Sequence, residues 1–179
     1  AAACYRRPVD ETSRTLAYDA GIFRVEEVRL RGRTSPVTLL RMPDWVMVAA
    51  IDADGRFVLV RQLRFGIAAE TIEPAGGLVD AGEVPAAAGL RELREETGFI
   101  GQVAEPLGWV HPNPVLQDNR CHFFLVRDAR PGGVRDGDPE EIVAPVILTR
   151  AEVEAALAEG RISHALAVVA LTRALAATG

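Results

Sequence analysis

Apolar runs of strand length, separated by turn residues, recur along the chain and predict a core rich in sheet. The runs from Trp45 to Ile51 and from Phe57 to Leu63 flank an Asp54-Gly55 turn, a pattern typical of a hairpin. The segments from Phe23 to Arg31 and from Val37 to Met42 predict an earlier hairpin with at least one exposed face. Later strands are predicted over residues 101–110, 120–126 and 142–148.

A proline and a glycine mark the two ends of a predicted helix over residues 85–97. Pro85 suits the first helical position, where its missing N–H costs nothing, and Gly98 suits the left-handed residue that follows the helix. Gly89, inside the helix, is expected to cost about 1 kcal/mol of stability relative to alanine. We expect the helix to pack on the core through Ala87, Leu90, Leu93 and Thr97.

Two further helices are predicted near the end of the chain. Thr149 and Glu152 have the spacing of a capping box, which predicts a short helix ending near Gly160. Ser163 is predicted to cap a final helix over residues 164–177. In contrast, residues 1–22 show no sustained periodicity, and we expect an N-terminal arm there.

Composition and charge narrow the class of protein. With 179 residues, 49% of them hydrophobic and 25% charged, the chain from residue 23 to 179 is expected to form one globular domain. A formal charge of −5 with scattered arginines argues against a nucleic-acid partner. The longest apolar runs fall far short of the roughly 18 residues that a membrane span needs, so no membrane partner is expected.

The two cysteines and the start of the chain bear on its location. Cys4 and Cys121 form neither a disulfide framework nor a metal-ligand spacing. The first residues lack the apolar core of a signal peptide, so we expect no export. We therefore expect a protein of the reducing cytoplasm.

Three glutamates in the helix over residues 85–97 carry the first candidate chemistry. Glu92, Glu95 and Glu96 are spaced i, i+3, i+4 and therefore share one helix face, with Glu96 expected to face the surface. Clustered carboxylates repel one another, whereas a hard cation such as Mg²⁺ prefers oxygen ligands. A solvated acidic face is the alternative interpretation, and it is the more common one for such a spacing taken alone.

The context of these glutamates resembles a known family. The defined positions of the Nudix box, Gly-x5-Glu-x7-Arg-Glu-U-x-Glu-Glu-x-Gly-U, are matched throughout by residues 77–99. The resemblance to Nudix hydrolases implies an α/β fold, an α/β/α sandwich with a mixed central sheet, here with an N-terminal antiparallel hairpin. It also implies metal-dependent hydrolysis of a nucleoside diphosphate linked to another group.

The same resemblance implies roles for individual residues. Mg²⁺ or Mn²⁺ would be held by Glu92 and Glu96, with Glu95 as a third ligand and the carbonyl of Gly76 as a further one. Arg91 belongs to the catalytic group, where it would fix the carboxylates. The general base is expected to be, in order of preference, one of Glu140, Glu141 and Glu95.

A second set of residues resembles the ADP-ribose and nucleotide-sugar pyrophosphatases within this family. Their mark is an Arg-Gln-aliphatic-Arg stretch followed by a Glu-Pro and a glycine pair, although Pro74 stands one place earlier than usual. A proline at this distance past the box is a further mark. The substrate-binding residues that this resemblance implies are Arg61, Arg64, Glu73, Asn113 and Pro114.

ADP-ribose is the best single substrate candidate, and two alternatives stay open. The chain could instead hydrolyse nucleoside triphosphates, or it could be a non-catalytic Nudix sensor that binds a nucleotide. A homodimer is expected, because related hydrolases pair through their N-terminal strands, which correspond here to residues 23–42. His111 and His122 are expected to be hydrogen-bonded structural residues.

Overall fold

The chain folds into two units, which a computed structural model describes over residues 9–135 and 143–179. The first unit contains the residues up to Pro43 together with His111–Asn119, and the second contains Asp44–Val110 and Arg120–Gly179. The predicted boundary between arm and domain at residue 23 stays a prediction.

The first unit is built on a three-stranded antiparallel sheet of order β1-β2-β3. Its strands are β1 Glu11–Asp19, β2 Arg24–Leu30 and β3 Val37–Arg41. The β2–β3 pair confirms the predicted N-terminal hairpin. No strand was predicted before this hairpin, but Glu11–Asp19 is a strand that pairs antiparallel with β2. All nine of its residues are exposed, so the strand has no alternation of buried and exposed positions that the sequence could have indicated.

The second unit is built on an eight-stranded mixed sheet whose path runs β11-β5-β4-β10-β8, with β6, β7 and β9 paired to β5, β4 and β10. Strand β4 runs parallel to β10 and antiparallel to β5 and β7. The β4–β5 pair is the hairpin predicted from the Asp-Gly turn. The strands are β4 Trp45–Asp52, β5 Phe57–Arg64, β6 Ala69–Glu73, β7 Ala75–Leu78, β8 Phe99–Ile100, β9 Glu105–Val110, β10 Cys121–Pro131 and β11 Val143–Leu148.

Three helices cover this sheet: α1 Pro85–Thr97, α2 Arg150–Ala158 and α3 Ala165–Thr178. Successive strand residues point to opposite faces, so Val46, Val48 and Ala50 of β4 join one core cluster with α1. Met47 and Ala49 join a second cluster with α2 and α3. Helices therefore lie on both faces of a mixed sheet, which confirms the predicted α/β/α sandwich. No helix in the described residues is both long enough and apolar enough to cross a membrane.

Helix α1 begins and ends as predicted, and Leu90, Leu93 and Thr97 are buried or packed on the core as expected. Gly98 follows the helix with φ 73° and its N–H donates to the Arg94 carbonyl at 2.8 Å. Ala87, expected to pack on the core, is exposed, while Ala88 and Gly89 are buried. A Cβ on Gly89 would lie 2.7 Å from Val48 Cγ2, so the glycine lets the helix approach the sheet closely.

At the ends of the other elements, one boundary was predicted correctly and two were not. The Thr149–Glu152 capping box is present at the start of α2. The predicted Ser163 cap is wrong, because His164 is the N-cap of α3 and makes no capping side-chain hydrogen bond. The strand predicted over residues 101–110 begins only at Glu105, and Phe99–Ile100 forms the separate short strand β8.

Candidate active site

The glycine pair on β7, Gly76 and Gly77, allows the sheet to approach α1 closely. The side of α1 that faces it is the acidic face, which carries Glu92, Glu95 and Glu96. Strand β7 pairs with β4, with Gly76 opposite Met47 and Gly77 opposite Val46. A Cβ on Gly77 would overlap the carboxylate of Glu92. A larger residue would therefore push Glu92 away from the strand. The space that the missing side chain leaves is filled by carboxylate oxygen.

One guanidinium group organises three carboxylates on this face. Arg91 Nε donates to Glu83 Oε1 at 3.1 Å and Nη2 to Glu83 Oε2 at 2.9 Å. Its Nη1 donates to Glu92 Oε1 at 2.8 Å and to Glu95 Oε2 at 3.1 Å. Hydrogen bonds from Arg91 lower the pKa of Glu83. Arg91 thus favours the ionised form of Glu83 and contacts all three carboxylates, while its role in catalysis stays a prediction.

Glu96 occupies a different environment from the one expected. It was predicted to face the surface, but only 5% of it is exposed. The backbone N–H of Gly76 donates to Glu96 Oε2 at 2.9 Å, so a hydrogen bond links helix α1 to the glycine pair on β7. The position is buried because α1 packs closely on the sheet at Gly89. Glu96 therefore sits at the junction between helix and strand.

The charges and donor atoms on this face fit a divalent cation. Among the described residues, the carboxylates of Glu83, Glu92, Glu95 and Glu96 lie with the guanidinium groups of Arg91 and Arg94, and Arg135 Nε donates to the Glu96 backbone carbonyl at 3.0 Å. The excess negative charge and the carboxylate oxygens suit a hard cation. Within residues 9–135 and 143–179, no three acidic, histidine or cysteine side chains already form a metal-ligand group. Arg91 contacts two of the candidate metal ligands, Glu92 and Glu95.

A cavity of about 960 Å³ opens beside this face within the second unit. Its lining is mixed, with exposed apolar side chains such as Phe65 and Ile67 alongside charged ones. Glu92, Arg91, the glycine pair and Arg64 line it as well. A pocket of this size with apolar walls and a few polar groups is typical of a small-molecule site. The acidic face therefore borders a space large enough for a ligand.

Another buried carboxylate, Glu73 at the end of β6, contacts three residues of the cavity lining. It is 0% exposed and accepts hydrogen bonds at 2.8 and 2.7 Å from Arg64, at 2.5 Å from Thr71 and at 2.5 Å from His164. Burial alone would raise the pKa of Glu73, but the hydrogen bonds from Arg64, His164 and Thr71 outweigh it and lower the pKa to about 2. Glu73 is therefore a carboxylate whose acceptor atoms are occupied by protein donors.

The remaining predicted site residues lie in several places. Arg61 is exposed on β5 with its Nε 3.9 Å from Glu70 Oε2. Asn113 and Pro114 are exposed residues of the first unit, where the Asn113 carbonyl accepts from the backbone N–H of Gln117 at 2.8 Å. Glu140 and Glu141, the preferred candidates for the general base, lie outside the described residues. The roles of all these residues stay predictions.

The two histidines expected to be structural are hydrogen-bonded as predicted. His122 Nε2 lies 2.9 Å from Asp44 Oδ2, and His111 Nδ1 lies 3.1 Å from the Asn119 carbonyl. The third histidine, His164, lines the cavity and was not predicted to be a site residue. The sequence around His164 indicates only that a helix starts there. Its partner Glu73 lies 91 residues earlier in the chain. No local pattern could have joined the two.

Comparison with known proteins places this site in a family. The NUDIX domain model matches residues 41–168. An ADP-ribose pyrophosphatase of Bacillus subtilis is 30% identical over 105 residues, 58% of this chain and 57% of the relative. A methanol dehydrogenase activator of Bacillus methanolicus is 30% identical over 150 residues, 83% of this chain and 81% of the relative.

Two further similarities support less, because one covers a short segment and the other has a low sequence identity. An ADP-sugar pyrophosphatase of Mus musculus is 41% identical over 69 residues, 38% of this chain and 32% of the relative. A solved structure of an ADP compounds hydrolase superposes with a TM-score of 0.81 over 99% of both chains at 23% identity, a level that supports the fold alone. The chain spans 57% of the Bacillus subtilis relative's length. The family match over residues 41–168 includes the whole acidic face of α1, and the chain belongs to the Nudix hydrolase family.

Proposed function

We propose that the chain hydrolyses the pyrophosphate bond of a nucleoside diphosphate sugar, with ADP-ribose or a related compound as substrate. The products would be a nucleoside monophosphate and a sugar phosphate. The observation that carries this proposal is the acidic face of α1, where Arg91 holds Glu92 and Glu95 beside a cavity of about 960 Å³. The names of the Bacillus subtilis and mouse relatives support the substrate class.

Nudix hydrolases generally use divalent metal ions, and we propose Mg²⁺ or Mn²⁺ here. Glu92, Glu95 and Glu96 would hold it together with the Gly76 carbonyl. When bound, such an ion supplies positive charge against the diphosphate oxygens and makes a water more acidic. The close approach of the Glu92 carboxylate to Gly77, where a Cβ would overlap it, supports this use of the glycine pair.

Side chains of the protein would position the metal ligands, contact the substrate and supply the general base. Arg91 holds the carboxylates in position, so they need little rearrangement when the substrate arrives. Arg64 in the cavity lining would contact the polar part of the substrate, and the exposed ring of Phe65 would contact an apolar part such as the base. Glu140, Glu141 and Glu95 are the proposed bases, in that order.

A substrate panel tests the substrate class. We expect ADP-ribose or another nucleoside diphosphate sugar to be preferred, with kcat/KM at least tenfold above that for nucleoside triphosphates, which corresponds to about 1.4 kcal/mol of transition-state preference. Chromatography of the products gives the readout. A tenfold preference for dGTP or a dinucleoside polyphosphate would contradict the proposal and favour the triphosphate alternative. Binding of nucleotides without turnover of any of them would favour the sensor alternative.

A second candidate function comes from the relative that covers most of this chain. The methanol dehydrogenase activator of Bacillus methanolicus aligns over 83% of the residues. We propose dehydrogenase activation as the alternative role, and it can be tested by adding the chain to a methanol dehydrogenase. Faster turnover with the wild-type chain than with Glu96→Gln would support a role that needs the acidic face. An unchanged rate would remove this candidate.

We also propose a homodimer formed through the residues 23–42 of the first unit. Strand β1 beside them is exposed along its length and carries the exposed side chains of Leu16 and Tyr18. Exposed apolar groups on a small sheet are typical of a contact surface. Light scattering at micromolar concentration is expected to give twice the chain mass, and a monomer would contradict the proposal.

A further inference from the structure

His164 is held at the edge of the cavity by a buried carboxylate. Its Nδ1 lies 2.5 Å from Glu73 Oε2, and Glu73 is fully buried. The ring itself is part of the cavity lining, with 32% of the side chain exposed. An ionised carboxylate can only accept hydrogen bonds, so Nδ1 carries the proton in this contact. One ring nitrogen is therefore committed to the protein.

The other ring nitrogen is available to a ligand. No group in residues 9–135 and 143–179 forms a hydrogen bond with His164 Nε2. The Glu73 contact fixes the ring, so Nε2 would not have to be ordered when a ligand binds. A polar atom held in position by the protein gives specificity at a small entropic cost. This arrangement is typical of a residue that recognises a ligand.

The charge around His164 indicates which kind of ligand group it meets. The charge of Arg64 is matched by Glu73, which it contacts through two hydrogen bonds of 2.8 and 2.7 Å. This part of the lining is therefore nearly neutral, which favours a neutral polar group over a phosphate. A hydroxyl can donate to neutral Nε2 or accept from the protonated ring, so the contact holds in both protonation states.

We propose that His164 is a specificity-determining residue that hydrogen-bonds a hydroxyl of the sugar linked to the nucleoside diphosphate. This inference rests on the proposed function for the identity of the sugar. Loss of one such hydrogen bond is expected to weaken binding about 3- to 10-fold. The effect belongs to the sugar alone, so a substrate without it is expected to be unaffected.

The test compares two ligands that differ in the sugar. ADP-ribose and the methyl ester of ADP share the nucleoside and the diphosphate, but the ester has a methyl group in place of the sugar. Calorimetry in EDTA gives the Kd of each ligand without turnover. We expect His164→Phe to raise the Kd of ADP-ribose about 3- to 10-fold and that of the methyl ester less than about 2-fold. Equal effects on both ligands would overturn the proposal.

Two further variants control for damage to the fold. His164→Gln keeps a side chain that can bond both Glu73 and a hydroxyl, so we expect it to restore most of the lost affinity. Arg161→Gln, on the segment before α3, removes an exposed pair with Glu159 and is expected to change neither Kd by more than about 2-fold. A His164→Gln variant as weak as His164→Phe would contradict the hydroxyl contact.

A measurement on the wild-type protein keeps the inference testable if His164→Phe does not fold. The chain has three histidines, so a ¹⁵N-histidine spectrum is simple, and His164→Gln identifies the His164 signals. ADP-ribose is expected to shift the Nε2 signal of His164, whereas the methyl ester is not. Identical shifts would overturn the proposal. In the presence of Mg²⁺, ADP-ribose binding without hydrolysis would contradict the proposed function while leaving this test valid, and no binding in Mg²⁺ would contradict both.

Discussion

Two clusters of glutamate and arginine in the second unit have opposite arrangements. In the Glu73 cluster, one buried carboxylate receives hydrogen bonds from three side chains. In the α1 cluster, one guanidinium group, that of Arg91, serves three carboxylates. The first arrangement satisfies the carboxylate with protein donors. The second leaves negative charge in excess, which a cation from solution can neutralise.

This difference shows that the number of partners decides what an acidic residue does. Both clusters contain glutamates that the sequence analysis placed in the site, and both border the same cavity. Glu73 was predicted to bind substrate, and this role stays a prediction. Its carboxylate is fully buried and accepts hydrogen bonds from Arg64, Thr71 and His164. In the α1 cluster, by contrast, Arg91 is shared among Glu83, Glu92 and Glu95, and the proposed metal site rests on this arrangement.

The largest expected effect comes from removing the charge of Glu73. Glu73→Gln removes the charge of a fully buried carboxylate that accepts two hydrogen bonds from the partly exposed Arg64, and the lowered pKa of Glu73 corresponds to a loss of about 3 kcal/mol. We expect the free energy of unfolding in urea at pH 7 to fall by that amount. Glu70→Gln is the matched control, because Glu70 is exposed on the same strand, 3.9 Å from Arg61. A loss below about 1 kcal/mol for Glu73→Gln would break the contrast between the clusters.

The pH dependence of stability gives a second view of the same cluster. The pKa of Glu73 is lowered from 4.5 to about 2 in the folded protein. Its contribution is therefore complete above about pH 4.5 and is lost as the pH falls toward 2, a change of about 3 kcal/mol. We expect the stability difference between wild type and Glu73→Gln to shrink across this window. A constant difference from pH 7 to pH 2.5 would contradict the assignment.

Glu96→Gln tests the other cluster. The amide oxygen can still accept the Gly76 N–H, so we expect the fold to persist while the ligand charge is lost. Hydrolysis at saturating Mg²⁺ should fall about 100-fold, or about 2.7 kcal/mol. Glu154→Gln, which removes an exposed helix glutamate paired with Arg150, is the control. More than a tenth of wild-type activity in Glu96→Gln would remove Glu96 from the metal site.

Gly89→Ala separates helix propensity from packing. Propensity alone predicts a gain of about 1 kcal/mol in stability, since alanine is the better helix former. The clash with Val48 predicts a loss of about 1–3 kcal/mol, because buried β-branched side chains in a packed core have little room to move. We expect the loss, measured by urea unfolding. A gain in stability would mean that close approach of α1 to the sheet does not depend on Gly89.

The sequence was informative wherever local pattern and tertiary structure agreed. The hairpins at β2–β3 and β4–β5 and the ends of α1 followed from apolar runs and from Pro85 and Gly98. Strand β1 was missed because its stability comes from pairing with β2 and not from a buried face.

The site was predictable where one segment carries it, as in the acidic face of α1. Burial of Glu96 and the pairing of His164 with Glu73 depend on residues far apart in the chain, brought together only by the sheet. The spacing of residues within one segment does not predict such long-range contacts. The Ser163 prediction failed for a related reason, since α3 starts one residue later than the serine pattern indicated.

The most direct test of the central claim is hydrolysis of ADP-ribose in H₂¹⁸O with Mg²⁺ or with EDTA, followed by mass spectrometry of the products. The account predicts AMP and ribose 5-phosphate in equal amounts, with one ¹⁸O in one of the two phosphates, and no products in EDTA. Release of both products at the same rate in EDTA, or release of free adenine or unphosphorylated ribose in place of the two phosphates, would contradict it.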